Sequence, residues 1–339
     1  MKLCDYGCGK KTFWLFRTDL RQTEDYHNFK TLDEFKKKNW DFYLNQGILF
    51  LENNIYDEFV VWRLQPKEKQ DDIIFNINGR KFIQKWVNDF NEVFNYPSPN
   101  ISLFRGGFKI YCDVTKQNPN FFGLKLYLGA GKRTNPQYGG IYNKILVECN
   151  KHITSLNHIP FYKTASPEIF YPLNLERIND LCWICNFEQI RQKGQEFFIS
   201  NISKSKYLKS LKIVHCGNKP EIGKQMCEKY KINNIEFLGH LNREQINKVL
   251  NQSKFGIVTS NEEDGSPRII TEILMSGTPL LIRDKTSLLD FYKELNVVEF
   301  NDNNLEEKIE QAMNINLIVD RDRINLDSVC KMNLKLWEV

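Results

Sequence analysis

The stretch from Phe255 to Asp284, FGIVTSNEEDGSPRIITEILMSGTPLLIRD, gathers the residue types best suited to chemistry in this chain. An apolar run ends at Ser260, the acidic residues Glu262, Glu263 and Asp264 follow with Gly265, and then Ser266 and Pro267 precede an amphipathic segment. Serine is a favoured N-cap, and proline suits the first helical position, where the missing amide would have had no partner. The spacing predicts a helix from Pro267 to Ser276 that stops at Gly277. Unpaired amides and the positive dipole end at such a start suit a phosphate or sugar hydroxyls. Gly265 lets a ligand approach the backbone closely. Glu272, sixth in that helix counting from Pro267, can point to the sheet side, where a lone carboxylate is costly and a ribose diol would satisfy it.

The elements that must position these residues alternate regularly from about Leu181 onward. Short apolar runs (LCWICN, LKIVHCG, IEFLG, FGIVTS, PLLIR and VVEF) read as strands. Between them KGQEFFISNISKSKYL, KPEIGKQMCEKY, NREQINKVLNQ, PRIITEILMSG, TSLLDFYKEL and NNLEEKIEQAM carry apolar residues three and four apart, and read as crossover helices. Strands buried on both faces and joined by helices make a parallel sheet whose ligand site lies at the strands' carboxyl ends. In the first half, YDEFVVWRL, NISLFRGG, FGLKLYLGAG, YNKILVEC and NHIPFYK are the strand candidates, with KFIQKWVNDFNEVF the clearest helix. The expected architecture is α/β with two Rossmann-like domains facing across a cleft. Residues 48–165 and 166–339 form the domains, ASPEIFYPLNLE links them, and residues 1–47 form an aromatic and lysine-rich segment of no assigned structure.

Length and composition agree with two packed domains. The chain has 339 residues, more than a single core usually serves, with 41% hydrophobic and 26% charged residues. No run reaches the about 20 apolar residues that cross a bilayer, and the first residues do not resemble a signal peptide, so a cytoplasmic protein is expected. A net charge of +5 does not announce nucleic-acid binding. The nine cysteines (4, 8, 112, 149, 182, 185, 216, 227 and 330) give no disulfide framework. Cys182 and Cys185 lie three apart in a strand and so point to opposite faces, which favours core packing over a metal. Cys4 and Cys8 flank a short loop that could turn around zinc with His27 as a third ligand, but the ligand set is incomplete, and an exposed loop is the preferred reading.

The residues around Asp264 resemble the retaining glycosyltransferases of the GT-B fold, in particular the family 4 group (glycosyl transferases group 1). That family shows an acidic residue, glycine, a small residue, proline and arginine, a second acidic residue eight positions after the first, then a small residue, glycine, threonine and proline. Here these are Asp264, Gly265, Ser266, Pro267, Arg268, Glu272, Ser276, Gly277, Thr278 and Pro279. Lys193 and Gly194 are similar to the lysine and glycine after the domain's first strand, and IEFLGHLNREQINKVLNQSKFGIVTS and IPFYKTASPEIFYP also resemble family segments. About residues 159–284 are covered.

The resemblance implies a nucleotide-diphosphate sugar as donor substrate, with no further cofactor. Glu272 would accept the ribose hydroxyls and Lys193 would neutralise the diphosphate. Asp264 and the amides of Gly265 and Ser266 would contact the transferred sugar, and Gly239 and His240 would border the base. Two positions depart from the pattern: Asp264 stands where glutamate is usual, and Glu188 stands where an arginine is usual, with Arg191 a substitute. Cleavage of a glycosyl phosphate builds negative charge on the leaving group, so fixed cations and helix amides lower the barrier. Lys193 is the first candidate for that role. No DxD-type metal clamp stands out, and metal-independent transfer with retention of configuration is expected.

Glycine loops after strands, at Arg105, Gly106 and Gly107 and at Gly129 and Gly131, are placed for acceptor or phosphate contacts, although such glycines equally serve to turn the chain. His152, His158, His215 and His240 are scattered, and core or surface roles suit them better than catalysis. The leading reading is transfer of a sugar to a glycan or cell-surface-type acceptor. The alternatives are a DNA glycosyltransferase of the phage type acting on hydroxymethylated bases, and a sugar-nucleotide-binding protein without turnover.

Overall fold

The computed structural model describes residues 9–17, 31–34, 41–65, 70–106, 108–129, 140–261, 268–286, 288–295 and 297–337. The chain divides into two units: the first takes the residues up to Val147, His152–Phe161 and those from Cys330 on, and the second takes Glu148–Lys151 and Tyr162–Val329.

The first unit is built on eight strands: β1 (Thr12–Arg17), β2 (Glu58–Leu64), β3 (Ile73–Ile77), β4 (Arg80–Val87), β5 (Ile101–Arg105), β6 (Leu124–Gly129), β7 (Lys144–Val147) and β8 (His158–Pro160). Their order is β3-β4-β2-β1-β5-β6-β7-β8, parallel throughout except where β3 pairs antiparallel with β4. One face, with Trp14, Phe16, Trp62, Phe104 and Tyr127, packs into an aromatic core with Phe90, Tyr111, Phe122 and Tyr142. Over the other face lies α1 (Phe42–Glu52), where Gly47 fits against the Phe59 ring and Phe50 meets Phe13 edge-on.

Four expectations about this half and its boundary change. The segment expected as its clearest helix, Lys81–Phe94, is mostly strand β4, followed by a 3-10 turn at Phe90–Asn95. Its inward residues Phe82, Gln84 and Trp86 alternate with more open ones, which is the period of a strand, and the turn Asn78-Gly79 before it, with φ of 52° and 80°, closes a hairpin to β3. Residues 1–47 supply β1, which lies between β2 and β5 near the middle of the sheet. The unit boundary falls at Phe161–Tyr162, and the last residues return to the first unit, where Trp337 packs against Phe13, Phe50 and Phe161. The expected linker belongs to the second unit: Asn247 and Asn251 donate to the Tyr171 carbonyl, and Asn251 Oδ1 accepts from the Leu173 amide.

The second unit contains all six expected strands: β9 (Asn179–Ile184), β10 (Ile213–Cys216), β11 (Ile235–Gly239), β12 (Ser253–Val258), β13 (Leu280–Arg283) and β14 (Val297–Phe300). They are parallel, in the order β11-β10-β9-β12-β13-β14. Chain progression reverses between β9 and β12, and in such a sheet ligands bind beyond the carboxyl ends at that switch point. The single helix expected over residues 193–208 is divided into α2 (Ile190–Lys193), α3 (Gln195–Lys204) and α4 (Lys206–Ser210). Ser205 ends α3 and caps α4 by accepting from the Leu208 amide. The expected helices at 219–230, 242–252 and 303–313 form as Pro220–Tyr230, α5 (Arg243–Asn251) and Leu305–Met313. Among the described residues, no helix is long and apolar enough to cross a membrane.

Candidate functional site

The site builds up from the carboxyl ends of β9 and β12 in the second unit. The segment Gln192–Gly194 is fastened to the residues following β12: the Thr259 hydroxyl donates to the Lys193 carbonyl at 2.7 Å, and the Asn261 amide donates to the Gln192 carbonyl at 2.9 Å. Thr259 is held from the other side by the Trp183 indole, which donates to its hydroxyl at 3.2 Å. Gly194 is left-handed, with φ of 66°, and a Cβ there would stand 2.0 Å from the Thr259 carbonyl oxygen. Glycine therefore meets both a conformational and a steric requirement. Lys193 is half-buried and, together with Trp183, Cys185, Thr259, Ser260 and Ile269, lines a small cavity at the two strand ends.

Ile269 begins the helix expected from the motif, α6 (Ile269–Met275), with Ser276 at its C-cap and Gly277 left-handed at φ of 77°. Arg268 precedes it, exposed. The stop at Gly277 is as the motif predicts; the proposed start at Ser266 and Pro267 lies outside the described residues, as do Asp264 and Gly265. Glu272 is half-buried on α6, and its carboxylate has no hydrogen bond or ion pair among the described residues. Burial pushes its pKa up, while the charges of Arg268 and of Arg243, at the start of α5, pull it partly back. A carboxylate desolvated this way, within the field of two arginines yet bonded to neither, can accept two hydroxyl hydrogen bonds from a diol. Arg243 was not anticipated from the sequence, where NREQINKVLNQ reads only as a crossover helix. In the structure Asn242 and Gln245 form a capping box at its start.

Gly239 closes β11 at φ of 74°, with open space where a Cβ would lie, and His240 after it is exposed. Arg283, at the end of β13, stacks 3.8 Å from the Phe197 ring centre and donates from Nε to Asp302 at 2.8 Å, a second buried cation at the strand ends that sequence reading did not single out. Glu188 lies in a short 3-10 turn before α2, and Arg191 is within α2. His215 is a core residue, among Trp183, Phe187 and Phe237, and burial pushes its pKa down to about 4 although its Nε2 hydrogen-bonds the Cys185 carbonyl. Cys182 is fully buried and Cys185 partly so, in keeping with core packing. Cys4, Cys8, Gly107 and Gly131 lie outside the described residues, and among the described residues no group of three or more His, Cys, Asp and Glu is placed to hold a metal. In the first unit, Arg105 and Gly106 end β5 and Gly129 ends β6, so the carboxyl ends of adjacent strands carry them.

Residues 186–325 match the family described as glycosyl transferases group 1. The chain is similar over its length to solved GT-B glycosyltransferases. A glycosyltransferase from Rickettsia africae ESF-5 is 13% identical with a TM-score of 0.64, covering 98% of each chain. Sucrose-phosphate synthase from Thermosynechococcus elongatus is 12% identical with a TM-score of 0.62, covering 97% of this chain and 98% of that one. The α,α-trehalose 6-phosphate synthase from Burkholderia multivorans is 8% identical with a TM-score of 0.61, covering 97% and 98%. No curated protein matches the chain by sequence. The fold class is thus GT-B, with two Rossmann-like units. The segment matched to the glycosyl transferases group 1 family lies within the second unit.

Proposed function

We propose that the protein transfers a sugar from a nucleotide-diphosphate sugar to a hydroxyl acceptor of the glycan or cell-surface type, retaining the anomeric configuration and needing no metal ion. The observation that carries this reading is Glu272: a carboxylate on the helix that follows the switch-point strand, raised in pKa by burial and without a bonded partner among the described residues. Ribose hydroxyls donating to it replace the hydration it has lost. Lys193, the last residue of α2 and fastened to the residues after β12, brings an ammonium beside the same strand ends, where it offsets charge developing on the departing diphosphate. Arg191 and Arg268 are further cations for the donor, Gly239 and His240 border the base, and Asp264 with Gly265, Ser266 and Pro267 contacts the transferred sugar.

In this mechanism the anomeric C–O bond to the diphosphate lengthens first, and the acceptor oxygen then bonds to the anomeric carbon on the face the phosphate departs from while giving its proton to that phosphate. No covalent glycosyl-enzyme forms, and the protein's part is to hold the diphosphate, stabilise its charge and exclude water. The test is a titration of the full chain with UDP-, GDP- and ADP-sugars, followed by transfer assays with and without EDTA. Binding of one donor that Glu272→Ala weakens about tenfold or more, with transfer insensitive to EDTA, is the expected result. Failure of every donor to bind removes the reading.

A further inference from the structure

The carboxyl edge of the first unit's sheet carries a row of arginines. Arg17 and Arg105 end β1 and β5, Arg63 is the last residue but one of β2, and the pairing sets Arg17 directly beside both others. Residues in register on adjacent parallel strands project to the same face, about 4.8 Å apart, so three guanidiniums that cannot lose their charge stand side by side. They stand on the face covered by α1. Arg17 is 2% exposed and Arg63 3%, whereas the Arg105 side chain keeps 29% of its surface open.

The row is braced rather than loose. Asp41, the N-cap of α1, binds Arg17 and comes within 3.8 Å of Arg105 Nη1. The Tyr43 ring lies under both, its centre 4.2 Å from the Arg105 guanidinium carbon, and Trp86 lies 5.7 Å from that of Arg63. Two further polar side chains share this face: Gln84 on β4, one pleat before the Trp86 that pairs with Arg63, and Gln46 on α1, about one turn beyond Asp41. Both are completely buried, and neither amide has a hydrogen-bond partner among the described residues. Aligning like charges and burying unpaired amides both cost stability, a pattern that stored binding capacity explains better than packing does.

We propose that this edge is an oxyanion subsite, and that the acceptor of the transfer reaction carries a phosphate or a carboxylate seated on Arg17, Arg63 and Arg105. Guanidinium forks match such groups two bonds at a time, and the carboxyl ends of a parallel sheet are where this fold class seats its ligands. The inference rests on the donor reading only for the word acceptor; the anion subsite stands on the arginine row.

The experiment is calorimetric titration of the full chain, without nucleotide, using glucose 6-phosphate, glucuronate and glucose. One of the two charged sugars is expected to bind about tenfold or more tightly than glucose, and which one does so tells phosphate from carboxylate. Arg105→Gln, at the most open position of the row, abolishes the preference while leaving nucleotide binding intact, and Lys193→Ala leaves the preference intact. Arg105→Lys, which keeps the charge but not the fork, recovers only part of it and carries the same test should Arg105→Gln fail to fold. Equal binding of all three sugars, binding of none, or a preference lost with Lys193 and kept without Arg105 overturns the proposal. A chain that prefers the charged sugar but binds no nucleotide loses the donor reading alone.

Discussion

Gly194 and Thr259 touch backbone to backbone: a single added carbon on Gly194 would lie 2.0 Å from the Thr259 carbonyl oxygen, and the Thr259 hydroxyl in turn donates to the carbonyl of Lys193. The lysine proposed for the diphosphate therefore owes its place to the backbone contact of a glycine and the hydroxyl of a threonine. Gly194→Ala adds a left-handed strain at φ of 66° to a steric clash with backbone, which cannot rotate away. A loss of about 2–4 kcal/mol in urea denaturation is expected, with nucleotide affinity falling beyond what unfolding explains. A variant as stable as the parent would show that the segment at 192–194 is free to move.

The raised pKa of Glu272 has a signed consequence. Its folded-state value lies above its unfolded one, so between the two the folded chain holds more protons and stability falls as pH rises through that window. Burial makes the ionised carboxylate costly, and Glu272→Gln removes that cost. This variant should melt no lower than the parent at neutral pH, lose the fall in stability on leaving the acid range, and bind nucleotide about tenfold more weakly. Thermal melts from pH 4 to 8 with a parallel nucleotide titration check all three. A variant that loses stability and binding together would make Glu272 a packing residue.

How far the sequence could be read varies with how each element announces itself. The second unit's strands are short apolar runs separated by amphipathic helices, and its strand order follows from the right-handed crossovers such alternation requires. The first unit hides its elements. In α1 nearly every residue is buried, Gln46 included, so it shows no polar face and no helical period. In β4 the lysines at 81 and 85 fall four apart and imitate a helix, although Asn78-Gly79 before it is a hairpin turn that a stricter reading would have weighed. β1 is only six residues long, and its place in the sheet depends on pairing with Glu58–Leu64 and Ile101–Arg105, partners far off in the chain. The same distance kept the arginine row out of view, because Arg17, Arg63 and Arg105 become neighbours only through that register.

The return of the chain end to the first unit is open to test at Trp337. Its ring is almost fully buried, with ring centres 6.1 Å from Phe13 and Phe50 and 6.4 Å from Phe161. Trp337→Ala leaves a cavity among aromatic neighbours that cannot close over it, and about 3–5 kcal/mol should be lost. The loss should fall on the first unit, so that nucleotide affinity, which the proposed function assigns to the second, survives at temperatures where the first has begun to unfold. Equilibrium denaturation alongside nucleotide titration separates the two, and a variant of unchanged stability would mean that the final helix turns contribute no core.

Asp41 gives the last prediction, and it joins stability to the arginine row. Burial alone would raise its pKa, but the charges of Arg17 and Arg105, with hydrogen bonds from Arg17 and the Leu44 amide, hold it down to about 2, below the usual 3.8. A depressed carboxylate contributes stability that is present above its unfolded value and is lost as pH falls through the folded one, so the window runs from about 3.8 down to about 2. Asp41→Asn leaves Arg17 and Arg105 without that counter-charge and removes the carboxylate cap of α1. A cost of about 3–5 kcal/mol at pH 7 is expected, since one partner of a buried ion pair has been taken away. The gap to the parent should shrink toward pH 2, where the parent's own Asp41 takes up a proton. Because the arginines remain and their bound counter-charge is gone, added phosphate should recover more stability in Asp41→Asn than in the parent. Equal recovery in both proteins would mean that phosphate does not reach the row.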